Sequence, residues 1–238
     1  MRNASKSATK PHFDADTYFH LYNKGSEGRI IFSSQEDYDR FEAYLYLLNS
    51  TESPRASNFF LDGRQRNIFE TGRGEKLIAI GAYSFTPKEF HLLAMPLTHG
   101  GIAKFMQKLQ TGYTMYFNTK YAREGRLFHS KYKSNAIESD EQLQYFFALI
   151  HLSPAILFDS EWDEAREFEL VALARNALKY RYSSSGEYIQ SAFKIASPEY
   201  FPQSLLHAKT ADAHLKFWNK FRKNLQKLSA TKDRTTGD

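Results

Sequence analysis

The segment from Thr86 to Leu93, TPKEFHLL, joins two apolar stretches and decides how the rest of the chain is interpreted. Residues 77–85 (LIAIGAYSF) and 89–95 (EFHLLAM) have the composition of β-strands, and the proline between them marks a turn. Glu89 and His91 are separated by one residue, so on a strand both side chains point to the same face of the sheet. Such a pair can bind a divalent metal, or it can be two ordinary polar residues of a strand.

Three helices are predicted from capping residues and apolar spacing. The first follows an SxxE capping box that begins at Ser33, and it ends near residue 49. The longest runs from Gly101 to about residue 121, where apolar residues recur at helical spacing. The third begins at an SxxQ capping box opened by Ser139 and is stopped by Pro154.

The order of strands and helices indicates an α+β fold. Residues 17–23 alternate and are rich in aromatics, which predicts a first strand, and residues 127–137 predict a further one. This alternation favours a largely antiparallel sheet covered by helices. Beyond about residue 160 the chain carries acidic and then basic helical segments without a clear sheet signal. We predict a flexible arm, a main domain, a helical C-terminal extension and a disordered tail, at residues 1–15, 16–158, 159–228 and 229–238.

Composition restricts the class of protein. The 238 residues are 42% hydrophobic and include 20 Phe and 15 Tyr, which is ample for a core and excludes a disordered chain. Cysteine is absent, which excludes disulfide scaffolds and thiolate metal sites and fits a reducing compartment. No apolar run approaches the length of a transmembrane helix, so no membrane partner is expected.

Basic residues are concentrated in two regions, although the net charge is a modest +5. These are residues 120–133 (KYAREGRLFHSKYK) and the tail from 209 to 234. Either region can be a solvated basic face or a surface for a polyanion. Cations interleaved with aromatics are typical of hairpin and single-strand recognition. The candidate phosphate contacts are Lys24, Lys120, Arg123, Arg126, Lys131 and Lys133.

Residues 215–227 (LKFWNKFRKNLQK) have the pattern of a basic amphipathic helix. Such a helix can lie on DNA or pack on the domain through its apolar face. A membrane surface is a third and less favoured partner for this composition.

Four ordered blocks of the sequence resemble a known family. They are residues 18–25 (YFHLYNKG), 82–93 (AYSFTPKEFHLL), 100–134, and 140–154 (DEQLQYFFALIHLSP). Together they resemble the single-tyrosine HUH transposases, especially the branch associated with repetitive extragenic palindromes. A fainter similarity to a W-S-S-Y segment of that family lies at residues 179–188 (KYRYSSSGEY). The resemblance implies a ferredoxin-like core and a bacterial cytoplasmic protein, associated with the nucleoid, that binds DNA hairpins.

The resemblance also implies a chemistry of strand cleavage and rejoining. In this family, two histidines on one strand and a polar side chain of the last helix hold a divalent metal. The metal polarises the scissile phosphate and stabilises the charge of the transition state. A tyrosine on that helix attacks and forms a 5′-phosphotyrosine link, which conserves the bond energy for rejoining.

Three positions of this chain depart from that pattern. Glu89 stands at the position of the first metal histidine, and only His91 is retained. A carboxylate suits Mg²⁺ or Mn²⁺, so these two residues are the candidate ligands of a residual metal site. Leu149 stands at the nucleophile position and has no nucleophilic atom, and Ser153 replaces a longer amide ligand. These departures predict a retained fold without strand cleavage.

A relocated nucleophile is the counter-hypothesis. Tyr145 precedes Leu149 by one helical turn and lies on the same face. Its α-carbon would be displaced by about 6 Å along the helix, which disturbs an in-line attack. The alternative for Tyr145 is a core aromatic beside Phe146 and Phe147. His20 on the first strand either supports the metal site or is a satisfied core histidine, and His151 is assigned no role.

Three functions remain open from the sequence. The leading prediction is a protein that binds hairpin or single-stranded DNA, is derived from a single-strand transposase, and does not cleave DNA. The second is an active metal-dependent transposase or nickase that uses a displaced tyrosine. The third is a protein-interaction module on the same fold. DNA is the predicted partner, and a homodimer is a further expectation.

Overall fold

The computed structural model describes residues 17–52 and 68–222. The predicted arm at 1–15 and tail at 229–238 lie outside these residues. Within the described ranges the strands are β1 (Tyr18–Lys24), β2 (Ile78–Thr86), β3 (Glu89–Pro96) and β4 (Lys133–Ile137). The helices are α1 (Gln35–Leu47), α2 (Gly101–Lys120), α3 (Asp140–Leu152), α4 (Glu167–Leu178), α5 (Ser185–Gln190), α6 (Gln203–Leu206) and α7 (211–222).

The four strands form one antiparallel sheet in the order β2-β3-β1-β4. Helix α1 connects β1 to β2, and α2 connects β3 to β4. This order of elements, with the first and third strands at the centre, is the ferredoxin-like arrangement. The predicted α+β class with a ferredoxin-like core is therefore confirmed.

The two faces of the sheet are covered by different helices. On one face, Leu21, Phe85 and Phe90 pack with side chains of α1 and α2 such as Phe41 and Tyr113. The opposite face is covered by α3 and by the C-terminal segments, in a second apolar cluster. Because side chains alternate along each strand, His20 of β1 and Glu89 and His91 of β3 fall on the α3 face.

Asp37 fixes the start of α1, which lies one residue later than predicted. The capping residue is Ser34 rather than Ser33, and its partner three residues on is Asp37 rather than Glu36. The Asp37 carboxylate is fully buried and accepts the backbone N–H groups of Ser33 at 2.8 Å and Ser34 at 2.9 Å. Three side chains from α2 and the residue that follows it also donate to this carboxylate: Tyr116, Lys120 and Tyr121.

The strand predicted at residues 127–137 is shorter in the structure. Only Lys133–Ile137 pairs with β1 as a strand. The preceding residues form a loop attached to the end of β1, where the N–H of His129 donates to the carbonyl of Lys24 at 2.9 Å. Gly125 in this loop has a φ of 81°, a conformation that favours glycine.

A C-terminal segment runs along β2, at one edge of the sheet. The N–H of Phe85 donates to the carbonyl of Tyr182 at 3.0 Å, and the N–H of Ser184 donates to the carbonyl of Tyr83 at 2.9 Å. These residues belong to the stretch with the fainter family similarity, and they cover part of an edge that would otherwise expose backbone groups. The division of the chain at residue 158 stays a prediction.

Across residues 17–52 and 68–222, every helix is too short or too polar to span a lipid bilayer.

Candidate nucleic-acid interface

A row of polar side chains crosses the sheet face that α3 covers. The register places Tyr22 of β1 opposite His91 of β3, and His91 opposite Ser84 of β2. Residues that lie opposite one another in neighbouring strands share a face. His20 and Glu89 each lie two residues from this row, so they share its face as well. We call these five residues the His91 cluster.

Four side chains of the His91 cluster, those of His20, Tyr22, Glu89 and His91, contact one another directly. His20 Nε2 and His91 Nδ1 share a hydrogen bond of 3.0 Å, and His91 Nε2 lies 3.3 Å from Glu89 Oε1. The Tyr22 ring stacks on both imidazoles, with centroid distances of 4.9 Å to His20 and 5.7 Å to His91. His20 Nδ1 is buried without a hydrogen-bond partner among the described residues.

Burial and neighbouring charges set the protonation of this cluster. Burial, and then the proximity of His91, holds the pKa of His20 well below its usual value, so His20 is neutral at pH 7. The hydrogen bond from His91 lowers the pKa of Glu89 and outweighs the opposite effect of burial. The cluster therefore contains a charged carboxylate at Glu89 and a neutral imidazole at His20.

The spacing of Glu89 and His91 fits two ligands of one hard metal ion. Two atoms bound at about 2.1 Å to neighbouring positions of an octahedral ion lie about 3 Å apart. The observed separation of 3.3 Å between Oε1 and Nε2 is close to this value. Across the part of the chain that the structure describes, no group of three or more His, Cys, Asp or Glu could hold a metal. An ion here would have two protein ligands, with water or phosphate oxygens in its remaining positions.

Leu149 and Tyr145 point away from the His91 cluster. Both pack into an apolar cluster formed by α3, α4, α7 and the turn between α3 and α4. The ring centroid of Tyr145 lies 5.1 Å from that of Trp218. Burial raises the pKa of the Tyr145 hydroxyl, and the charges that act on this hydroxyl are those of Arg222 and Asp163. A relocated tyrosine nucleophile is therefore not supported by the position of this side chain.

Phe146 occupies the side of α3 that faces the His91 cluster. Its ring stacks on His20 with a centroid distance of 4.6 Å. Ser153, at the third-ligand position, lies near the same face, because its Oγ is 2.8 Å from Oγ of Ser84. Ser153 also donates to the carbonyl of Ile150, so its hydroxyl is engaged within the protein.

Lys24 and Lys133 flank the His91 cluster on the same sheet face. Lys24 lies opposite Glu89 in the register, and Lys133 lies opposite Tyr22. The Lys133 ammonium is 5.8 Å from the centroid of the Tyr22 ring, a cation–π arrangement. Both lysines are exposed, as are Arg126 and Lys131 in the loop that is attached to the end of β1. We call Lys24, Arg126, Lys131 and Lys133 the basic face.

Two of the predicted phosphate contacts are engaged inside the protein. Lys120 Nζ lies 2.8 Å from Asp37 Oδ1 and 3.0 Å from Glu36 Oε2, so two carboxylates compensate its charge. Arg123 donates to the side chain of Asn118 at 3.0 Å. We therefore leave Lys120 and Arg123 out of the basic face.

No protein-family model matches this chain, and no curated protein matches it by sequence. Among solved structures, the chain is similar to one described as the REP-associated tyrosine transposase bound to a REP hairpin. The two proteins are 9% identical, and the match covers 81% of this chain and 91% of that chain with a TM-score of 0.44. A similarity of this size assigns no role to individual residues.

His151, which the sequence left without a role, belongs to a buried chain of hydrogen bonds. His214 Nδ1 donates to the carbonyl of Thr210, so His214 Nε2 accepts from His151 Nδ1 at 2.9 Å. His151 Nε2 then accepts from the Ser184 hydroxyl at 2.7 Å, and Ser184 Oγ accepts the N–H of Tyr83. This chain connects α7, α3 and β2, and the two bonds in which an imidazole nitrogen accepts, at His214 Nε2 and His151 Nε2, require neutral imidazoles.

Proposed function

We propose that this protein binds hairpin or single-stranded DNA on the basic face and does not cleave the strand. The orientation of α3 is the observation that carries this proposal. This helix presents Phe146 to the His91 cluster and turns Leu149 and Tyr145 into an apolar cluster. A metal held by Glu89 and His91 would therefore have no tyrosine of α3 beside it to activate.

The basic face supplies the materials of nucleic-acid binding. Its four cations are exposed and have no carboxylate partner at salt-bridge distance within the described residues, so they are available to phosphates. Tyr22 is partly exposed between Lys133 and His91, where an unpaired base can stack on its ring. Stacking and phosphate contacts on one surface favour a hairpin with unpaired flanks over a plain duplex.

A weak Mg²⁺ or Mn²⁺ site at Glu89 and His91 is part of this proposal. With two protein ligands, its role would be to bridge the cluster to a DNA phosphate, since hard divalent ions readily coordinate phosphate oxygens. Glu89 carries its negative charge close to the basic face, and neutralising that charge favours an approaching phosphate.

Removing the two flanking lysines is expected to weaken hairpin binding. In the double variant Lys24→Ala/Lys133→Ala, we expect affinity for a labelled DNA hairpin to fall about 10-fold or more at low salt. The slope of log affinity against log salt should become shallower by about 2, because about one counterion is released for each phosphate contact. Fluorescence anisotropy over a range of salt concentrations measures both quantities.

Lys179→Ala is the matched control for this experiment. Lys179 is exposed at the end of α4, and the residues after it run along the edge strand β2, whereas the basic face lies at β1 and β4; its removal therefore changes the net charge but not the basic face. The control should retain the wild-type salt slope. The control removes one charge and the double variant two, so a loss of log affinity in Lys179→Ala about half that of the double variant would show that binding depends on net charge alone, and it would contradict the proposed face.

A further inference from the structure

The turn between α3 and α4 forms an exposed surface that is both acidic and apolar. Residues 156–169 (ILFDSEWDEAREFE) contain six carboxylates and one arginine, a net charge of −5 in a chain whose total is +5. Four large apolar side chains of this segment are exposed: Ile156, Leu157, Phe158 and Phe168, the last two at 54% and 67%. We call residues 156–169 the acidic surface.

The exposed apolar residues are not needed to anchor this segment. Trp162 and Leu170 already point inward, and the Trp162 ring lies 5.0 Å from that of Trp218 on α7. Large apolar side chains exposed among polar residues are typical of sites of protein association. The acidic surface therefore has the character of an interface whose partner brings cations and apolar groups.

This chain itself offers the complementary surface. The basic face combines four exposed cations with the partly exposed rings of Tyr22 and Tyr132. Within one molecule the two surfaces belong to opposite edges of the sheet. Ser153, just before the acidic surface, bonds to Ser84 on the edge strand β2, whereas Lys133 lies on the other edge strand, β4. Pairing of the two surfaces therefore requires two molecules.

We propose that the acidic surface of one copy binds the basic face of a second copy. The contact is head-to-tail, so a pair of molecules keeps one surface of each kind free for further copies. Opposite charges orient the encounter, and Phe158 and Phe168 supply the apolar centre. Association of this kind needs no DNA, so its test is independent of the proposed function.

Sedimentation of the full chain without DNA tests this contact. At low salt the wild-type mass should increase with protein concentration, and at about 0.5 M salt, where the Debye length is only a few ångströms, it should return to that of a monomer. Two variants remove one surface each. The acidic variant is Glu161→Lys/Glu164→Lys/Phe168→Ser, and the basic variant is Lys131→Glu/Lys133→Glu. All five side chains are exposed, so both variants should fold, and far-UV circular dichroism is the check of their folding.

The two variants complement each other if the contact is head-to-tail. Each variant alone should be monomeric, because it has lost one of the two surfaces. An equimolar mixture should form one-to-one dimers and nothing larger, since only one productive pairing remains. A wild-type protein that stays monomeric at low salt would overturn the proposal. Self-association of either variant at the wild-type level, or a mixture that stays monomeric, would do the same.

Discussion

Asp37→Ala is expected to lower the free energy of unfolding by about 3 kcal/mol, because it removes a buried carboxylate that caps α1 and accepts hydrogen bonds from α2. The Asp37 carboxylate is fully buried and accepts two backbone N–H groups and three side-chain donors. Its removal takes the acceptor from Tyr116 and Tyr121, leaves Lys120 with one of its two carboxylate partners, and uncaps α1 at the same time. Urea unfolding followed by circular dichroism measures this loss.

Asp39→Ala provides a matched control on the same helix. Asp39 also pairs with a cation, Arg181 at 2.9 Å, but both side chains are substantially exposed. An exposed ion pair contributes about 0–1 kcal/mol, so this variant should unfold close to the wild type. Similar losses for Asp37→Ala and Asp39→Ala would show that the buried carboxylate does not organise the junction of α1 and α2.

Acidification is expected to destabilise the protein through its buried histidines. Burial lowers the pKa of His214 to about 4, and burial together with His214 holds that of His151 well below its usual value. Above about pH 6.5 both imidazoles are neutral in the folded and the unfolded chain. Below pH 6.5 only the unfolded chain takes up protons, so stability falls as the pH decreases towards about 4. His214 alone accounts for about 3 kcal/mol of this loss.

Glu42 has the opposite effect on the pH dependence of stability. The histidine prediction is therefore tested by comparing variants with the wild type at each pH. Burial raises the pKa of Glu42 to about 7, which favours the folded state as the pH falls through this range. His214→Gln should be less stable than the wild type at pH 7, and the difference should shrink by about 3 kcal/mol between pH 7 and pH 4. His207→Gln, at an exposed position, should leave the free energy of unfolding unchanged at each pH. A constant difference between His214→Gln and the wild type at all pH values would contradict the assignment.

Local patterns predict most of the fold because they are decided by neighbours in sequence. The long helix predicted at 101–121 is observed at Gly101–Lys120, since its apolar spacing alone defines the buried side. The start of α1 was wrong by one residue because the partners of Asp37 lie about 80 residues further along the chain. The strand at 127–137 was predicted too long because Leu127 and Phe128 are buried in the core, while Phe128 pairs with Gly25 in an isolated bridge and not in a strand.

The candidate site could be predicted only where one strand defines it. A period of two placed Glu89 and His91 on one face, and the register confirms that they share it. The direction of Tyr145 and Leu149 depends on Trp218 of α7, more than 60 residues away, and no local pattern contains that information. The role of His151 could not be predicted from local patterns either, because its partners Ser184 and His214 lie 33 and 63 residues further along the chain.

Incubation with a labelled DNA hairpin tests the central claim most directly. The full chain is mixed with a hairpin that carries single-stranded flanks, with and without Mg²⁺ or Mn²⁺. Shifted bands on a native gel and covalent products on a denaturing gel are then scored. We expect a shifted complex in all conditions and no covalent protein–DNA product in any of them. A metal-dependent covalent product that disappears in the variant Tyr145→Phe would contradict this account.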